Sequence, residues 1–280
     1  MPGEIQRGCL NNDDNASAYP KTALNTVRVY KQRGHYDYRT VHSILASTFV
    51  SHVSFITKDE DGEPMPMNLP LTAVLGRYDP NDPLPEDDGD EEQYMRQQES
   101  MADGPADVYL HGNAASLLFD GVVMFFTPNG HSLNYRSVVI HGDAELVSSA
   151  EERRYAMHLL TNHMVRRRWS DTNPVSPSAI KSVQVMHIKI RSASAKVRAS
   201  NIGGFEPREM GTREDVWTGV VPLYEVLGTP VSSGGFPARE IQEQLEDWRT
   251  SRNEAEKGYA EEVAKPSEVE MKSWQKTTRG

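Results

Sequence analysis

The 280-residue chain is 37% hydrophobic, with a mean hydropathy of −0.61 and a formal net charge of −10. Its apolar share is below the roughly 45–50% of a compact globular chain, a figure that counts Gly, so part of the sequence is expected outside any core. The length leaves little room for two full enzyme domains, and the acidic balance argues against a nucleic-acid binder that neutralises phosphates. Cys9 is the one cysteine, which excludes internal disulfides and Cys-rich zinc sites. The longest apolar runs, such as 122–126, are too short to span a bilayer. A cytoplasmic protein with no membrane or nucleic-acid partner is expected.

Residues 1–26 are polar and turn-rich and read as a mobile tail. Asp37 is placed to cap a helix whose Val41, Ile44, Leu45 and Thr48 fall at helical spacing. A strand is expected over 49–57, followed by a charged turn closing at Gly62. The returning strand, 65–75, contains Pro66 and Pro70, which cannot donate to a ladder and suit an edge or a bulge. Between Asp79 and Ala106 stand ten acids against the single base Arg96, so nearly all of the net charge sits in one stretch, expected as a disordered insertion.

Beyond the insertion come a short strand over 107–111, a short helix over 113–119, and strands over 122–126 and 133–147, with Gly142 as a possible bulge. Residues 151–169 form the clearest helix, with Ala156, Leu159, Leu160, His163 and Met164 on one stripe, acids at its start and arginines at its end. A strand over 183–190 leads into 192–198, and 216–226 adds a short one. From Pro237 a charged helix carries Ile241, Leu245 and Trp248 on one side, ahead of a polar tail. Irregularly interleaved strands and helices favour a mainly β (α+β) barrel over a doubly wound sheet.

Metal, serine-hydrolase, P-loop and dinucleotide signatures are absent. What remains is suited to a phosphate: His111-Gly112-Asn113-Ala114-Ala115-Ser116 leaves a strand through a Gly and offers backbone N–H groups and a hydroxyl. Arg136, Lys196 and Arg198 are cations on or after strands.

The succession Arg33-Gly-His-Tyr-Asp37, Val108 to Ser116, Ser132 to Val147 with its Tyr135-Arg136-Ser137, and Ser194-Ala-Lys-Val-Arg198 resembles the pyridoxamine 5'-phosphate oxidase-like split-barrel proteins. The similarity is to their flavin-nucleotide-binding branch, related to nitroimidazole-resistance proteins. This resemblance implies a six-stranded split β-barrel with flanking helices over 27–232, the insertion at 79–106 looped out and a charged helix and tail at 233–280. It implies a homodimer with FMN at the interface.

By match to the family pattern, the backbone of Met67, Asn68 and Leu69 lines the flavin ring, His111 and Gly112 pass the flavin or its ribityl phosphate, Ser116 meets the phosphate, Arg136 and Ser137 face the cofactor, and Lys196 and Arg198 form a late basic pair near the phosphate or the ring edge. Leu117 and Leu118 stand where family members place Arg or Lys, which leaves haem open as an alternative, with His111 or His141 as axial ligand. Three functions follow. The first is an oxidoreductase passing electrons from a reduced nicotinamide to a small organic acceptor or oxygen, with His111 as acid or base. The others are a non-catalytic FMN- or haem-binding protein for storage, sensing or scavenging, and a cofactor-free scaffold.

Overall fold

The computed structural model describes residues 17–81, 96, 99–111, 118–127, 130–202, 215–233 and 241–266. Eight strands are present among them: β1 (Gly34–His35), β2 (Ser51–Lys58), β3 (Pro64–Gly76), β4 (Asp107–His111), β5 (Leu118–Met124), β6 (Ser132–Leu146), β7 (Met186–Arg198) and β8 (Gly219–Pro222). The two-residue β1 and four-residue β8 account for the excess over the six strands expected. The helices are α1 (Tyr38–Ser47), α2 (Ala150–Met164), α3 (Pro177–Ser182) and α4 (Glu243–Ala264). None is long and apolar enough to cross a membrane.

The chain divides into two compact units. In the first, residues 1–117 and 137–196, the strand order runs β2-β3-β4-β7-β6, with β1 on β7. Strand alternation sorts the core into two clusters. Leu71, Ala73 and Leu75 of β3 join Val108 and Leu110 of β4 and Leu45 of α1. The intervening Val74 and Tyr109 join Tyr155, Ala156, Leu159 and Leu160 of α2.

Helix α1 starts as its sequence dictates: the Asp37 carboxylate accepts the Thr40 N–H at 2.8 Å, and Val41, Ile44 and Leu45 are buried. Helix α2 is capped by Ser149, which accepts the Glu152 N–H. It stops at Met164, five residues short of the expected end. The chain then turns, with Arg167 in the left-handed region at φ 63°, so the three arginines lie past the helix. At Gly142 a Cβ would come within 2.4 Å of the Lys189 carbonyl oxygen, so a close approach to β7 requires the glycine.

The β2–β3 register explains the prolines. Asp59 donates its N–H to Glu63, and because hydrogen-bonded and non-bonded pairs alternate along an antiparallel ladder, Pro64, Pro66 and Pro70 opposite Lys58, Ile56 and His52 occupy non-bonded positions. Their missing N–H groups all belong to the side away from β2. Among the described residues β4 pairs only with 72–76 of β3, so the prolines lie on an edge.

Two ends of the expected organisation are corrected. Residues 17–26, expected as tail, are packed: Ala18 bridges to Asp37, and Tyr19 and Asn25 are buried. The last residues of the acidic insertion are also anchored, for Met101 is in the first core cluster and Arg77 donates to the Pro105 carbonyl.

In the second unit, residues 118–136 and 197–280, β5 lies between β6 and β8 and α4 packs on β5 and β8. A bulge at Asp120 interrupts the β5–β6 register; such a bulge re-aims a side chain. The buried residues of α4 are Ala260 and Val263, not the expected stripe, and Ile241 is exposed.

Candidate functional site

A cavity of about 410 Å³ opens in the first unit between residues 24–29 and the strand residues Ser137 and Val139 of β6 and Ser194 and Lys196 of β7. Ligand pockets typically run from about 300 to 1,000 Å³. Its strand wall follows from alternation, since residues two apart share a face. Its other wall is held by polar contacts of the N-terminal segment. Asn25 donates from Nδ2 to the Ala193 carbonyl at 2.9 Å and to the Pro20 carbonyl at 2.9 Å, while its Oδ1 accepts the Thr22 N–H at 2.7 Å. The Val27 N–H donates to the Tyr36 hydroxyl at 2.9 Å. Strand β1 then pairs Gly34 with Lys196 and His35 with Ala195. A side chain at Gly34 would place Cβ 2.9 Å from Val27 Cβ, so the segment needs a glycine to fold back so tightly.

Ser137 and Lys196 meet at this cavity, and the Ser137 hydroxyl donates to the Lys196 carbonyl at 3.3 Å. Arg28 is the second cation along the lining, and no lining residue is acidic. Sequence reasoning passed over residues 24–29 because they show no periodicity; the available signal was the absence of any acid between Ser17 and Tyr36.

Arg136 and Arg198 are placed in the second unit and do not line the cavity. Arg136 is buried and donates from Nη2 to Asp120 at 2.9 Å and to Glu256 at 3.2 Å, with its guanidinium 4.0 Å from the Tyr259 ring centroid. Burial pushes the Asp120 carboxyl above its ordinary value, against the opposing pull of Arg136. Arg198 donates from Nη1 to Asn134 Oδ1 at 2.6 Å, and Asn134 donates to the Ser200 carbonyl at 2.9 Å. These two arginines, expected at a cofactor, thus have protein partners.

The remaining predicted residues are dispersed. Met67, Asn68 and Leu69 face Phe55, Ser54 and Val53 in the β2–β3 hairpin, and Leu69 packs on the first core cluster. His111 ends β4, opposite Thr72. Gly112 and Ser116, with Leu117, lie outside the described residues. His141 is on β6, and its buried Nε2 has no hydrogen-bond partner among the described residues.

Two further polar clusters escaped sequence reasoning. Buried His42 links Tyr19, whose hydroxyl lies 2.7 Å from its Nε2, to the Met101 carbonyl, 2.6 Å from its Nδ1. A carbonyl only accepts, so Nδ1 carries the proton and the Tyr19 hydroxyl donates to Nε2 in the neutral ring. Burial lowers the His42 pKa and raises that of Tyr19. On the other face, His187 stacks on Tyr109 with centroids 5.1 Å apart and meets Asp107 at 2.9 Å, while Tyr109 donates to Glu152 at 3.0 Å. Among the described residues no group of three or more His, Cys, Asp or Glu side chains is arranged to hold a metal ion.

A family model described as pyridoxamine 5'-phosphate oxidase matches residues 37–197. No curated protein sequence gives a significant match. Among solved structures, the flavocytochrome Anf3 from Azotobacter vinelandii superposes with a TM-score of 0.54 at 21% identity, over 81% of this chain and 97% of that one. The FAD and heme binding protein from Mycobacterium smegmatis gives 0.54 at 15% identity, over 78% and 97%. Both likenesses are of fold, which agrees with the β-rich, helix-flanked architecture described above. The family match spans more than half of the sequence, from the cap of α1 to the end of the cavity's strand wall, and the chain belongs to the pyridoxamine 5'-phosphate oxidase family.

Proposed function

We propose that the protein binds a flavin nucleotide and is an oxidoreductase that moves electrons from a reduced nicotinamide to a small organic acceptor or oxygen. The observation that carries this reading is the meeting of Ser137 and Lys196 on one cavity. The names of the two structural relatives, a flavocytochrome and a FAD and heme binding protein, support it. Within the cavity the cationic Lys196 side chain suits a phosphate or the electron-rich edge of a ring, and the Ser137 hydroxyl, only loosely tied at 3.3 Å, is able to rotate toward an anion. Val139 and the aliphatic residues of 24–29 offer apolar surface to the uncharged part of a ligand. A bound flavin would supply the hydride and electron chemistry, while the protein supplies position and field.

The protein acts as a homodimer in this reading, and Phe55 and Met65, which share a face of the β2–β3 hairpin and are exposed at 41% and 40%, supply an apolar face for a second copy. A single cysteine suits a cytoplasmic setting. A second reading, a haem-binding protein without turnover, is favoured by the buried Nε2 of His141, which has no hydrogen-bond partner among the described residues and is a ring nitrogen able to serve as an axial ligand.

The visible spectrum of the purified protein, taken before and after FMN and then with reduced nicotinamide under anaerobic conditions, separates these readings. Flavin bands that bleach are expected. A Soret band abolished by His141→Ala would favour haem, and the absence of any band or uptake would overturn both.

A further inference from the structure

Resting on the flavin reading above, we infer that residues 24–29, which precede the stretch matched by the family model, form the anion-selecting wall of the cavity, with Arg28 as the side chain that engages the ligand's phosphate.

Three observations lead there. First, the segment is built into the site: Asn25 is pinned to Ala193, the residue before Ser194 of the lining, and β1 pairs with Lys196 itself. The wall is therefore tied to the same strand, β7, that carries the cation. Second, charge is segregated. Residues 17–36 carry Lys21, Arg28, Lys31 and Arg33 and no acid, in a chain whose net charge is −10. Third, these cations are not equivalent. Lys21 lies over the Tyr36 ring at 5.0 Å and Arg33 over the Tyr30 ring at 4.1 Å, whereas Arg28 lines the cavity and among the described residues makes a long, exposed 3.4 Å contact to the Ala23 carbonyl.

A planar guanidinium with two parallel donors matches phosphate geometry better than a point charge does. Arg28 from one wall and Lys196 from the other bracket a dianion, and the apolar lining takes the uncharged remainder. The ligand class is a phosphorylated flavin in preference to the free vitamin form, with discrimination set by a segment outside the stretch that the family model matches.

The test titrates the full-length protein, freed of any bound flavin, with FMN and separately with riboflavin, following flavin fluorescence. Arg28→Ala is expected to weaken FMN binding about ten-fold, the scale of one charged hydrogen bond, and to leave riboflavin binding unchanged. Arg28→Lys is expected to recover part of the loss. Because Arg28 is exposed, an unchanged melting temperature shows that the variants fold. Equal FMN affinity in Arg28→Ala and the parent would overturn the assignment while the flavin reading stands. Failure of the parent to bind either flavin would overturn the flavin reading, and this assignment with it.

Discussion

The cavity of the first unit and the buried cluster of the second place their cations differently. In the first, cations stand around an open cavity without an acid among its lining residues, and the core is aliphatic and aromatic. In the second, Arg136 is closed in by Asp120, Glu256 and the Tyr259 ring. Arg136 and Ser137 are consecutive, and consecutive strand residues project to opposite faces, so one serves a buried ion pair and the next lines a cavity. A basic residue on a strand is thus no guide to ligand binding until its partners are known. Buried charge requires a protein partner, whereas charge that lines a cavity is within reach of a ligand.

Arg136→Ala strands two carboxylates, of which Asp120 is almost fully buried, and is expected to cost about 3–5 kcal/mol. Chemical denaturation measures it, and a cost below about 1 kcal/mol would break the comparison. Leu159→Ala, emptying a site of zero exposure under α2, is expected to cost about 2–5 kcal/mol by the usual range for core truncation. That places the apolar unit on the same scale by a different mechanism. Lys196→Ala is expected to change stability little and to weaken FMN binding about ten-fold, the reverse of the Arg136 pattern; isothermal titration beside a melting curve distinguishes them.

A smaller effect concerns His42. Its folded pKa lies below the ordinary 6.5 because burial disfavours the imidazolium, so on acidification the unfolded chain takes up the proton first. The stability contribution of His42 is complete above about pH 6.5 and falls as the pH drops toward the folded value. Denaturation midpoints between pH 7.5 and 5 are expected to decline more steeply for the parent than for His42→Gln. The smallest effect is at the Arg39–Asp103 pair, exposed by 69% and 59%: Asp103→Asn is expected to shift stability by less than about 1 kcal/mol.

How far the sequence could be read follows the range of the forces involved. Helix α1 was legible because its cap and its stripe lie within eleven residues of each other, and the β2–β3 hairpin because its turn and alternation are local. The packing of residues 17–26 was not, since it depends on Asn25 reaching Ala193, 168 positions away. Nor was the commitment of Arg136 to Glu256, 120 positions away, visible in the Tyr135-Arg136-Ser137 motif. Helix α4 misled differently: its largest apolar residues suggested the packed stripe, whereas small Ala260 and Val263 are the ones buried. Of the proposed site, the family resemblance located Ser137 and Lys196; the facing wall required the three-dimensional contacts.

The prolines of β3 have a consequence for the protein in concentrated solution. An exposed strand flank is a template on which further chains extend a sheet, and here that flank is part of a hairpin displaying Phe55 and Met65. Pro64, Pro66 and Pro70 remove the outward donors at three positions along it, so an incoming strand finds acceptors without their alternating donors and cannot zip along the flank. The hairpin can therefore keep an apolar face for side-chain contact while its backbone edge resists the growth of fibrillar aggregates.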